Sequence, residues 1–176
     1  MDDLVIRIRE RVQDPERFID EDPGTGDFPY PPTSEAAIAA AEEQLGFRIP
    51  ELLRRLFTEV ANGGFGPVYG IAGVNRCGVD EDLCDLETLH ADQSTSRWLE
   101  RFPTWPPQVL RFVYLGCSMY VAVDASSENH PLYVFEPNMS AEELGYENCL
   151  EPMRIGLHQW LRDWVSDKDL WKHERE

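Results

Sequence analysis

Residues 34–74 read SEAAIAAAEEQLGFRIPELLRRLFTEVANGGFGPVYGIAGV, and this stretch decides the fold. Thr33 or Ser34 can cap a helix over 35–45, since a hydroxyl there accepts from backbone N–H groups that the first turn leaves unpaired. Ile38, Ala41 and Leu45 share its inner face. Gly46 fits the left-handed position that ends such a helix. Ile49-Pro50 then opens a second helix, proline being well suited to a first turn. Leu52, Leu53, Leu56, Phe57 and Val60 recur at helical spacing, and Asn62-Gly63-Gly64 stops the run because residues there take positive φ cheaply. The stretch reads as a helical hairpin with both ends marked.

Outward from the hairpin, the period changes. Val68 to Ala72 with Gly73-Val74 reads as strand and turn, and Leu83 to Leu99 as a helix with Leu86 and Leu89 inward. Pro103, Pro106 and Pro107 make 101–108 an extended connector. Three strands follow, at 109–115, 119–124 and 131–135, separated by turn residues. A closing helix over 154–166 carries Leu157, Trp160, Leu161, Trp164 and Val165 on one stripe. On the N-terminal side, Leu4, Ile8 and Val12 mark a short helix over 3–12, followed by a Pro/Gly-rich acidic arm from Asp20 to Thr33. These elements predict an α+β fold: a central antiparallel sheet flanked by an N-terminal helical hairpin and a C-terminal helix. The division is 1–32 for helix and arm, 33–171 for the main domain and 172–176 for a tail.

The chain has 176 residues, with 33 acids against 16 bases and a net charge of −17. Only Lys168 and Lys172 are lysines. Such a balance argues against nucleic acid or an anionic membrane as a direct ligand, because both require Lys and Arg against phosphate. A basic protein partner fits it. The N-terminus has no apolar signal core and no stretch spans a bilayer, so a cytoplasmic location is expected. Cys77, Cys84, Cys117 and Cys149 form no CxxC pair and read as reduced, mostly buried thiols.

The ordered set within residues 33–171 resembles the SUKH superfamily, the Smi/Knr-type domain. The residues that carry the resemblance are Ile38, Glu42 or Glu43, Leu45-Gly46, Ile49-Pro50 and Asn62-Gly63-Gly64, with LGCSMYVAVD and a closing helix bearing Trp160 and Trp164. Leu110-Arg111-Phe112 departs from the proline-containing apolar run expected there, and the first thirty residues have no counterpart. The resemblance implies a single α+β domain that acts by binding proteins. Its bacterial members are widely immunity proteins against polymorphic toxins, many of them nucleases or deaminases; other members are intracellular regulators.

Charge placement supports a binder independently. Between 112 and 153 lie seven acids and no Lys or Arg, and 78–96 holds six acids with no base. The residues expected to meet a basic partner are Asp80, Glu81, Asp82, Asp85 and Glu87 in one segment, with Glu136, Glu142, Glu143 and Glu147 in another. No catalytic constellation, metal site or cofactor is expected. The four histidines have no ligand spacing, and the Gly63-Gly64 run lacks the lysine of a phosphate loop. Cys117, Asp124 and His130 supply the residue types of a cysteine hydrolase, a minor alternative that requires them within hydrogen-bond reach. A regulatory scaffold of the same fold is the main alternative. Trp105 and Trp171, outside the clear helical stripes, are better read as core than as interface anchors.

Overall fold

The computed structural model describes residues 2–21, 28–75, 85–93, 95, 100, 102, 105–137 and 149–172. Helix α1 spans Asp2–Val12, α2 Glu35–Leu45, α3 Glu51–Glu59 and α4 Leu86–Asp92. Strands β1 Val109–Gly116, β2 Met119–Asp124, β3 Pro131–Phe135 and β4 Leu150–Gly156 follow, and helix α5, Leu157–Trp164, comes after them. The strands form an antiparallel meander in the order β1-β2-β3-β4. The fold is α+β.

The hairpin forms where its local signals place it. Ser34 Oγ accepts from the Ala37 N–H at 3.2 Å, and Gly46 closes α2 at φ +78° with its N–H donating to the Glu42 carbonyl. Glu42 also accepts from the Ile49 N–H at 3.0 Å and lies 3.6 Å from Arg54, so one carboxylate knits the corner between the helices. The Asn62-Gly63 turn does more than stop α3. Asn62 donates to the Val74 carbonyl and accepts from the Val74 N–H, at 2.9 and 3.0 Å, pairing with that backbone as a strand would. Gly63 is needed because a Cβ there would come within 2.5 Å of the Gly73 nitrogen. The glycines serve close backbone approach.

Adjacent residues on a strand point to opposite faces, and the sheet carries a cluster on each. Leu110, Phe112, Val121, Val123, Leu132, Met153 and Ile155 pack with Leu4, Ile8, Leu53, Phe57, Trp160 and Leu161 in the main core. Their alternation partners Tyr120 and Phe135 belong to a second cluster with Leu89, Phe102 and Cys149. Helix α1 is therefore part of the main core, and its Leu4 and Ile8 are fully buried. Arg11 and Arg17 tie it to Asp167 beyond α5, and the Arg11 guanidinium sits 4.5 Å over the Trp164 ring.

Three expectations change. The closing helix begins at Leu157, not Arg154, because Leu150–Gly156 pairs with β3 as a fourth strand. Met153 and Ile155 alternate inward there, while Arg154 takes φ +55° at an irregularity in the pairing. No regular strand forms at 68–72; Ile71 makes an isolated bridge to Val113, and the positive φ of Val68 and Gly70 breaks the extension. Within the predicted helix at 83–99, α4 covers 86–92, and several of its other residues lie outside the described ones.

Candidate partner-binding surface

Of the nine acids expected to meet a partner, Asp80, Glu81, Asp82, Glu142, Glu143 and Glu147 lie outside the described residues. The remaining three divide. Asp85 is 2% exposed and accepts from the Thr88 N–H at 2.9 Å, capping α4. Glu87 is 7% exposed and accepts from the Asn75 N–H at 3.0 Å, while its Oε2 is buried without a hydrogen bond. Burial raises the Glu87 pKa above the ordinary 4.5. Neither residue presents a carboxylate to a partner, which corrects that part of the expectation: both serve the local fold. Glu136 is half-buried at the end of β3, and its N–H donates to the Cys149 carbonyl at 2.8 Å.

These residues flank the two acidic segments, which root in different clusters: Val74 and Leu86 pack in the main core, Phe135 and Cys149 in the second. Leu89 of α4 packs in it with Phe135 and Cys149. One segment precedes Asp85 and the other lies between Pro137 and Cys149.

Arg111 supplies a buried positive charge there. It is the only Lys or Arg among the described residues from 105 to 137. It is 5% exposed, donates to the Leu89 carbonyl at 2.6 Å and to Asp92 at 2.9 Å, and lies 5.1 Å over the Tyr120 ring. Its charge is committed inside the fold. On the helical side, cations meet acids at the surface: Arg9 and Arg55 pair with Glu59, and Arg54 with Glu35. The sheet has an exposed cation as well, Arg154 of β4. The signal for Arg111 was present in the sequence as a charged residue between Leu110 and Phe112, but its partners on α4 lie some twenty positions away.

The hydrolase constellation does not assemble. Cys117 lies in the turn between β1 and β2, whereas Asp124 and His130 lie at the other end of β2, about 17 Å away along a six-residue strand. Asp124 is engaged by Ser126 and Ser127; burial raises its pKa, but those hydrogen bonds outweigh it and hold the carboxyl below its usual value. His130 Nδ1 meets the Asp124 backbone carbonyl at 3.2 Å, not its carboxylate. Cys117 is exposed, unlike the buried thiol expected, whereas Cys149 is buried. Among the described residues no group of three or more His, Cys, Asp or Glu gathers to hold a metal ion. No described helix is long and apolar enough to cross a membrane. Trp105 and Trp171 are both half-buried and pack against the second cluster and the main core respectively.

No curated protein and no solved structure matches the chain. Among protein families, residues 32–150 match the SMI1 / KNR4 family (SUKH-1), from just before α2 to the first residue of β4. That span covers most of the chain and contains the hairpin, its Asn-Gly-Gly turn and three of the four strands; the chain belongs to the SMI1 / KNR4 family (SUKH-1).

Proposed function

We propose that this chain is a cytoplasmic, non-catalytic immunity protein that binds and neutralises a cognate toxin domain of nuclease or deaminase type. The observation that carries the reading is the charge pattern: six acids without a base in 78–96 and seven acids without Lys or Arg in 112–153, with the single described cation of β1 buried and paired inside the fold. Acids from 80–82, together with Glu136, Glu142, Glu143 and Glu147, take the place of phosphate against a basic groove and occlude it. Complementary charge of this kind sets the rate and choice of encounter more than net affinity. Family membership supports a protein-binding role of the immunity type.

The test is capture of the tagged chain with its partner from source cells at low and high salt, followed by association kinetics. One near-stoichiometric partner with a basic effector domain, released as salt rises, is the expected result. The Asp80→Lys, Glu81→Lys, Asp82→Lys variant then associates roughly tenfold more slowly or worse, with a flatter salt dependence. If neither rate nor salt dependence changes, the 80–82 segment is not the contact. A recurrent cellular regulator, held without regard to salt, identifies the chain as a scaffold instead.

A further inference from the structure

Four of the chain's six tyrosines, Tyr30, Tyr69, Tyr114 and Tyr120, gather into one row with Phe28, although they come from three distant segments. Phe28 packs on Tyr30 at 4.8 Å between ring centroids, Tyr69 on Tyr114 at 5.7 Å and Tyr114 on Tyr120 at 5.3 Å. A small cleft of about 20 Å³ joins the two groups, with Phe28, Tyr30 and Tyr69 all lining it. Phe28, Tyr30, Tyr69 and Tyr114 are half-buried, whereas Tyr120 is buried. The rings thus run from the interior out to solvent. Aromatic side chains placed in this way are the residues that interfaces use as anchors. The backbone holds them in place: the Tyr30 N–H donates to the Gly63 carbonyl at 3.2 Å, and its carbonyl accepts from the Asn62 N–H at 3.1 Å. Gly64 makes room, since a Cβ there would come within 2.6 Å of the Phe28 ring. A row fixed before a partner arrives costs less to order on binding.

The charge around the row has one sign. The segments that supply the rings, 28–33, 61–75 and 109–120, contain no Lys or Arg besides the buried Arg111. Exposed Glu21 borders Tyr69, its N–H donating to the carbonyl of the neighbouring Val68 at 2.9 Å. Asp85 also lines the cleft; its carboxylate is committed to the α4 cap, yet its charge adds to the negative potential there. At the inner end Glu136 follows Phe135, the residue opposite Tyr120 in the β2–β3 pairing. Ring faces attract cations through their quadrupole, and a planar guanidinium can stack on them. Arg111 already does so from within, 5.1 Å over the Tyr120 ring. The outer rings offer the same chemistry to solvent.

We propose that the outer part of this row, Tyr69 and Tyr114 with Phe28 and Tyr30, is a docking surface for arginine side chains of a basic protein. The guanidinium lies on the ring faces and the aliphatic stem runs along the apolar edges. The proposal rests on the reading of a basic partner given above. It adds a contact that salt screens less than it screens exposed carboxylates.

The test is titration of the chain with ¹³C-labelled tyrosine, followed by NMR at the Tyr69 and Tyr114 ring signals. The probes are an acetylated triarginine amide, its citrulline counterpart, which keeps the shape but loses the charge, and its glutamate counterpart. Saturable ring shifts with the arginine peptide, affinity at least roughly fivefold weaker with citrulline and no shift with glutamate are the expected result. Tyr69→Phe keeps the ring and binds like the parent. Tyr69→Leu and Tyr114→Leu each weaken binding about two- to fivefold through the lost ring face. Silent rings, equal binding of the citrulline peptide, or leucine variants that bind like the parent overturn the proposal. If a leucine variant fails to fold, the arginine–citrulline comparison on the parent chain decides alone. Capture of the partner separates this surface from the immunity reading. A captured basic partner with silent rings overturns the surface alone, whereas ring shifts without a captured basic partner overturn the immunity reading alone.

Discussion

The two faces of the sheet are held by different physics. On the main-core face, α1, α3 and α5 cover an unbroken apolar surface, with Trp160 against Phe112 at 6.0 Å between ring centroids. Attraction there is non-directional and scales with buried area. Among the described residues the second face carries a smaller cluster, and there one buried guanidinium pins the end of α4 to the sheet through two hydrogen bonds and a ring stack. Directional contacts of that kind place a segment accurately, but they depend on a single side chain. The face with the strong core carries the fold, and the face with the polar pin holds α4 in place.

The largest expected effect tests the main-core face. Trp160→Ala empties a fully buried site and should cost about 3–5 kcal/mol in urea unfolding. A loss below about 1 kcal/mol would mean that this face is not the dominant store of stability. Next comes the pin. Arg111→Met keeps the apolar stem but removes the guanidinium, and should cost about 2–3 kcal/mol. Amide exchange should accelerate in α4 while α3 and α5 stay protected. Uniform acceleration across the molecule would erase the distinction between the faces.

The smallest effect is a matter of pH. Glu87 has its pKa raised in the fold, chiefly by burial, so the unfolded chain gives up that proton more readily than the folded one. Stability from this group is therefore lost as pH rises above its ordinary value of 4.5 and through the raised folded value. Glu87→Gln should match the parent at lower pH and become progressively more stable than it as pH rises. Parallel pH–stability curves would show that the carboxyl is no more costly to ionise in the fold than outside it.

What could be read in advance follows the same division. Ser34, Gly46 and the Leu52 to Phe57 stripe act on neighbours within four residues, so spacing alone places α2 and α3. Met119–Asp124 and Pro131–Phe135 were legible because β-branched and aromatic residues fall between turn residues. Strand β4 was not: Pro152 reads as a breaker, Glu151 leaves only Met153 and Ile155 to mark the inward face, and the stripe of α5 begins immediately after it. The inward roles of Asp85 and Glu87 were hidden because an acid in an acidic stretch looks like surface. Only the positions of Thr88 and Asn75 show that both serve the fold. Asn62 was legible as a helix stop but not as Val74's partner twelve residues on.

The docking of α1 also sets a schedule for synthesis. This helix leaves the ribosome well before α5, yet Arg7 donates to Ser166, 159 residues later, and Arg11 and Arg17 await Asp167. At roughly 5–20 residues per second, that interval is on the order of ten seconds. For its duration Leu4 and Ile8 lack the covering that α5 supplies. A nascent chain thus holds an amphipathic helix in reserve and closes its main core only after α5 has emerged.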